Sequence, residues 1–115
     1  MTKSLEIEIA PDDLEFLRTH SYLLCIAATA ADGNGVVVRR CLDRYLANNR
    51  VDGPDVFSHV PRDRLRVWFQ QNIAAGATLH QEMLANGPNA IEADLTASET
   101  ASLRYENGMW SAIAG

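Results

Sequence analysis

Lysine is nearly absent from this chain: Lys3 stands alone against nine arginines. Cysteine is scarce too, with Cys25 and Cys41 the only two. A small secreted domain stapled by disulfides would carry more, so stability has to come from a buried apolar core, and the two cysteines are expected to be buried thiols rather than a disulfide or a redox pair. No apolar run approaches the ~20 residues of a bilayer span; the uncharged stretch from Thr19 to Ala31 is 13 residues long. The first residues, Met-Thr-Lys-Ser-Leu-Glu-Ile-Glu, place acids where a signal peptide needs an apolar run. A soluble, cytoplasmic protein without a membrane partner is therefore expected. Site chemistry is missing as well. No glycine loop leads into a lysine and a helix, and no serine sits in a nucleophile elbow. His20, His59 and His80 fall in three separate segments and do not combine with the cysteines at a metal-ligand spacing. The expectation is no catalytic residue, no metal and no cofactor.

What the chain does have is an ordinary globular composition, 47% hydrophobic and 22% charged, over 115 residues. That length implies one domain spanning 1–115. The formal net charge of −5 is unevenly spread. Residues 36–70 hold seven arginines (Arg39, Arg40, Arg44, Arg50, Arg62, Arg64, Arg66) against four acids, whereas the segments on either side are each at −4. Nine arginines, one lysine and sixteen alanines form a bias that often accompanies GC-rich bacterial coding.

The first local signal is alternation: Leu5, Ile7 and Ile9 fall on one face and Glu6 and Glu8 on the other, as in a half-buried strand. Pro11 followed by Asp12, Asp13 and Glu15 opens a helix, since proline suits the first turn and acids favour the positive end of the helix dipole. The helix is expected to run from about 11 to 31 and to end at Asp32-Gly33-Asn34-Gly35. From Tyr22 to Ala31 it is apolar or small nearly all round, which implies burial on more than one side, either in the core or against a partner. A second helix is expected over 36–49, with Val38, Cys41, Leu42, Tyr45 and Leu46 as its stripe; the β-branched Val36-Val37-Val38 makes a strand the competing reading. Asp52-Gly53-Pro54-Asp55 is turn chemistry. Pro61 then opens a third helix with Leu65, Trp68, Phe69 and Ile73 inward, broken at Gly76. Thr78-Leu79-His80-Gln81 has the form of a capping box for a further helical segment that stops at Asn86-Gly87-Pro88.

The last quarter reads as β. Ile91, Ala93 and Leu95 alternate with Glu92 and Asp94. Asn107-Gly108 is a strong hairpin signal, because a type I′ turn needs positive φ at both central residues. A two-residue turn there sets Tyr105 opposite Trp110 and Leu103 opposite Ala112 on one face. The competing reading is a short helix capped by Thr96-Ala97-Ser98-Glu99. The expected fold is α+β, three or four helices packed on a small antiparallel sheet made of the N-terminal strand and the C-terminal hairpin.

Three local patterns suggest function and each falls short. Asp32, Asn34 and Gly35 match positions of an EF-hand loop, but the loop's first ligand would be Ala30 and its last Cys41, too few oxygens for calcium. Trp68-Phe69-Gln70-Gln71-Asn72 shares letters with a homeodomain recognition helix, yet Ile73-Ala74-Ala75-Gly76 follows where phosphate-gripping basic residues belong. A helix-turn-helix over 61–86 would place Glu82, and no lysine or arginine, on its recognition helix.

The expected function is a small non-enzymatic bacterial regulatory or inhibitory protein that acts by binding another protein, as antiactivators, anti-defence proteins and toxin-neutralising proteins do. A homodimer is compatible with the same chemistry. The expected contact residues are Tyr22 and Leu23 on the apolar stretch, with Arg39, Arg40 and Arg44 at the rim, since arginine's planar fork suits interfaces. The first alternative is a nucleic-acid-binding transcriptional regulator using residues 36–70; the second is a small-molecule enzyme or sensor with an unfamiliar site.

Overall fold

A computed structural model describes residues 3–29, 35–60, 63–79 and 90–113. Among the described residues the chain is predominantly β, with nine strands and two short helices. They follow in the order β1 (Ser4–Ile9), α1 (Pro11–Thr19), β2 (Leu23–Thr29), β3 (Val36–Leu42), β4 (Asn48–Asp52), α2 (Pro54–Phe57), β5 (Arg64–Gln70), β6 (Thr78–Leu79), β7 (Ala90–Asp94), β8 (Thr100–Glu106) and β9 (Met109–Ile113). The expected α+β arrangement of three or four helices on a small sheet is thereby overturned. In its place are a four-stranded sheet, β4-β1-β8-β9, and a five-stranded sheet, β6-β3-β2-β5-β7. The first is mixed rather than antiparallel, because β1 runs parallel to β8.

The two sheets share one apolar layer. Leu5, Ile7, Ile9, Val51 and Leu103 from the first meet Leu24, Ile26, Ala28, Leu65, Val67, Phe69 and Ala93 from the second. The outer face of the five-stranded sheet carries a second cluster of Cys25, Ala27, Val36, Val38, Trp68 and Leu79, with Ile73 and Ala77 packed against it. β2 therefore has apolar partners on both faces, and its alternate residues divide between the two clusters. A strand buried on both faces reads as a continuous apolar run. That run is what suggested a helix from 11 to 31.

The helix instead ends at Thr19. Its C-terminus is closed by a Schellman arrangement in which Ser21 N–H donates to the Arg18 carbonyl at 3.3 Å and Tyr22 N–H to the Leu17 carbonyl at 3.0 Å. Ser21 takes the left-handed conformation, φ 57°, at the position glycine normally fills. The absence of glycine there hid the stop.

β3 replaces the expected helix over 36–49, so the strand reading of Val36-Val37-Val38 is the one the chain follows. Its pairing with β2 slips by one residue: Ala27 faces Val38, Ile26 faces Arg40, and Arg39 is the extra residue of a β-bulge. Before the bulge Val36 and Val38 face the outer cluster; beyond it, Cys41 takes over that face and Leu42 turns to the inner layer. β5 replaces the expected third helix. Leu65, Trp68 and Phe69 are buried as anticipated and Ile73 is half-buried, but Trp68 faces the outer cluster while Leu65 and Phe69 face the inner one. Of the segment expected to be capped by Thr78, only Thr78 and Leu79 are described, and they form β6; the remainder, to Pro88, lies outside the described residues.

The hairpin forms as expected, with Tyr105 opposite Trp110 and Leu103 opposite Ala112. Asn107 and Gly108 have φ 54° and 74°, as a type I′ turn requires. Asp13 of α1 accepts hydrogen bonds from both turn amides, Asn107 N–H at 3.0 Å and Gly108 N–H at 3.1 Å. The hairpin's aromatic residues close on Phe69, whose ring lies 5.3 Å from Trp110 in a stacked pose and 4.8 Å from Tyr105 edge-on.

Two outcomes follow for stability. Phe69→Ala removes the ring shared by both sheets and is expected to cost about 3–5 kcal/mol, measured by urea unfolding. Ser21→Gly relieves a left-handed serine and is expected to stabilise the fold by about 1 kcal/mol, read in the same assay.

Candidate protein-binding surface

The arginine-rich middle is first a matter of internal hydrogen bonding. At the bulge two consecutive residues oppose one, so Arg39 and Arg40 both reach the segment from Asp52 to His59. Arg39 Nη1 donates to the Val56 carbonyl at 3.3 Å and to the Ser58 carbonyl, and Nη2 to the His59 carbonyl at 3.1 Å. Arg40 Nε donates to Asp55 Oδ2 at 3.0 Å, while its Nη2 donates to Asp55 Oδ1 at 2.5 Å and to the Asp52 carbonyl at 2.7 Å. The planar fork of arginine makes this two-pronged contact with a carboxylate. The hydrogen bond from Arg40 holds the Asp55 carboxyl below the usual carboxylate range. Gly53, at φ 114°, leaves room for the clasp; a Cβ there would come within 2.8 Å of Asp55 Oδ1 and 2.9 Å of Arg40 Nη2.

Other arginines are likewise engaged. Arg64 pairs with Glu92 at 3.4 Å and Asp94 at 3.6 Å across β5 and β7. Arg104 pairs with Glu8 at 2.9 Å and Glu106 at 3.1 Å on the outer face of the four-stranded sheet. Arg50 lies 3.7 Å from Asp52. The helix-turn-helix geometry fails, because residues 64–70 are a strand. The calcium-loop letters at 32–34 lie outside the described residues, and the segments on either side of them are strands rather than helices.

Of the expected contact residues, Tyr22 and Leu23 come together at one end of the sandwich with Arg18, Ser21 and Asp43, around a recess of about 210 Å³. Both side chains are half-buried: Tyr22 packs on the inner layer and Leu23 on the outer cluster. The Tyr22 carbonyl accepts the Tyr45 hydroxyl at 2.7 Å; burial pushes the Tyr45 phenol up to about 12, so it stays a donor. Beside them Phe16 is 54% exposed and its ring lies 4.2 Å from His20 and 6.2 Å from Tyr22. Arg44 is exposed in the loop after β3. Arg39 and Arg40 do not join this end; they hold the 52–59 segment.

A second surface was missed by sequence reasoning. β9 is an edge strand of the four-stranded sheet and contains Met109-Trp110-Ser111-Ala112-Ile113, with no charge and no proline. Met109 is 69% and Ile113 38% exposed, both on the outer face; Trp110 and Ala112 lie on the opposite face, Trp110 half-buried and Ala112 exposed. In a two-residue hairpin the residues flanking the turn exchange hydrogen bonds, and the alternation continues along the ladder. The amide groups of Met109, Ser111 and Ile113 thus face β8, while those of Trp110 and Ala112 face outward. Next to this edge a cleft of about 420 Å³ opens between β7 and β9, lined by Glu92, Asp94, Ser98, Leu103, Ala112 and Ile113. The other edges contrast with it: β4 carries Arg50 and Asp52, β7 carries Glu92 and Asp94, and β6 has two residues. Charges and short length are how natural edges avoid unwanted pairing. The uncharged run 109–113 was visible in the sequence, but its place at a sheet edge was not.

No protein-family model, curated protein or solved structure matches this chain. Among the described residues no group of three or more histidine, cysteine, aspartate or glutamate side chains could hold a metal ion, and no helix is long and apolar enough to cross a membrane.

Asp55→Asn tests the clasp. Because the folded carboxyl's pKa is depressed, its contribution is present above the unfolded carboxylate pKa and is lost as pH falls through the folded value. The variant is expected to unfold more readily than wild type at neutral pH and to converge with it in acid, measured by urea unfolding across that range.

Proposed function

We propose that this protein is a small, non-enzymatic regulatory or inhibitory protein that acts by binding another protein, which adds an extended segment to the outer edge of β9, a strand that pairs only with β8 among the described residues. The observation that carries this reading is the pair of outward amides at Trp110 and Ala112 on an uncharged edge flanked by exposed Met109 and Ile113. Strand addition draws its affinity from main-chain hydrogen bonds and its specificity from alternate side-chain pockets. Here one set of the partner's side chains would cover Met109 and Ile113, and the other would enter the cleft beside β7. The acids nearby are already engaged, Glu92 and Asp94 on the cleft wall with Arg64 and Glu8 on the neighbouring sheet face with Arg104, so the exposed Met109 and Ile113 favour a partner segment whose alternate side chains are apolar. Of the expected arginine rim, Arg39 and Arg40 are hydrogen-bonded to the 52–59 segment, and Arg44 is exposed.

A second reading places the contact at the other surface, supported by the exposed Phe16 ring against His20 and Tyr22 and the recess beside Leu23. Two variants separate the readings. Ala112→Pro removes one outward donor while sparing the hydrogen bonds to β8, and proline is tolerated at edges. It is expected to abolish capture of the partner from the native cell, with circular dichroism unchanged. Tyr22→Asp is expected to leave capture intact. The reverse pattern would move the site to Tyr22, and a partner retained by both variants would reject both surfaces.

A further inference from the structure

The two cysteines, far apart in sequence for a metal motif, are brought face to face. Cys25 of β2 lies directly opposite Cys41 of β3 in an antiparallel ladder, and both are free thiols. The kind of pair follows from the hydrogen bonds of Val38. Its N–H donates to the Ala77 carbonyl at 2.8 Å and its carbonyl accepts Gly76 N–H at 2.7 Å, so both main-chain groups point away from β2. Ala27, opposite Val38, is then in a non-hydrogen-bonded pair. Alternation along β2, which is regular here, turns the groups of Ile26 toward β3 and those of Cys25 away again. Cys25 and Cys41 are therefore a non-hydrogen-bonded pair, the kind in which opposing Cα atoms lie about 4.5 Å apart and side chains approach most closely. A disulfide spans Cα separations of roughly 4.4–6.8 Å. The Cys25 thiol donates a long hydrogen bond, 3.5 Å, to the Leu23 carbonyl. Cys25 is fully buried and Cys41 only half-buried, so the pair has one accessible member and one sheltered member.

We propose that Cys25 and Cys41 form a reversible thiol–disulfide site whose oxidant is a small-molecule disulfide. The Cys41 sulfur, as thiolate, attacks one sulfur of the reagent. The reagent's S–S bond breaks, one thiolate leaves and takes up a proton, and a mixed disulfide forms on Cys41. The Cys25 sulfur, losing its proton, then attacks Cys41 Sγ and displaces the second thiolate, which is protonated in turn. Two protein thiols are oxidised by two electrons and the reagent is reduced to two thiols. Burial raises both protein thiols above their ordinary range, which makes the exchange slow at neutral pH and faster as pH rises. The site sits on the outer face of the five-stranded sheet and does not depend on how β9 is used.

The test is a redox titration of the purified reduced chain with glutathione disulfide and glutathione, read by intact mass and thiol count on a non-reducing background. The expected product is a monomer lacking two hydrogens, with no free thiol and no glutathione adduct, restored by dithiothreitol. The folded geometry is expected to raise the equilibrium constant for closure roughly tenfold or more over that in urea, as a cross-link compatible with the native state must. Cys25→Ser should stop at a glutathione adduct on Cys41. A wild-type chain that ends as a mixed disulfide, keeps both thiols, or closes no better folded than in urea would overturn the proposal, and none of those readings requires the variant to fold.

Discussion

Burial of β2 on both faces is the constraint on which the other contacts rest. Leu24, Ile26 and Ala28 point into the layer between the sheets, and Cys25 and Ala27 into the cluster on the far side. A strand in that position needs hydrogen-bonded neighbours on both edges and apolar cover above and below. β3 and β5 supply the edges. The four-stranded sheet covers one face, and Leu79, Ile73 and Ala77 contribute to the cover on the other. Roughly 25 cal/mol per Å² of apolar surface removed from water is the force behind such layering, and neither sheet alone could bury both faces of β2.

The bulge at Arg39 reconciles that demand with the sequence of β3. Strict alternation from Val36 would have turned Arg40 toward the outer cluster beside Val38. The extra residue brings Cys41 there instead and leaves two adjacent arginines free to hold the 52–59 segment through its carbonyls and Asp55. One irregularity thus sets the cysteine pair in register and ties down the connection between β4 and β5. It also gives two of the chain's nine arginines hydrogen-bond partners within the fold.

Parts of the fold were legible because their signals are local. Asn107-Gly108 fixes its turn through positive φ, and the alternation at Leu5, Ile7 and Ile9 and at Ile91 and Ala93 reports strands with one polar face. The misread parts share a physical cause. When both faces of a strand are apolar, period 2 vanishes: Leu65, Trp68 and Phe69 show helical spacing because Trp68 belongs to the opposite face. In β3 the bulge does the same, setting Val38, Cys41 and Leu42 at i, i+3 and i+4. The charge segregation was visible, but its use was not, since the acceptors of Arg39 and Arg40 lie mostly on backbone carbonyls that composition does not show. Tyr22 and Leu23 do lie together, whereas the edge at β9 depends on strand order, which no local pattern encodes.

Amide hydrogen exchange resolved along β9 tests the central claim, an outer edge that accepts a partner's strand, most directly. In the isolated chain, Trp110 and Ala112 amides are expected to exchange rapidly while Ser111, bonded to β8, exchanges slowly; addition of the captured partner should slow Trp110 and Ala112 and leave Ser111 as it was. Trp110 and Ala112 amides already protected in the isolated chain, or unchanged in the complex, would contradict it.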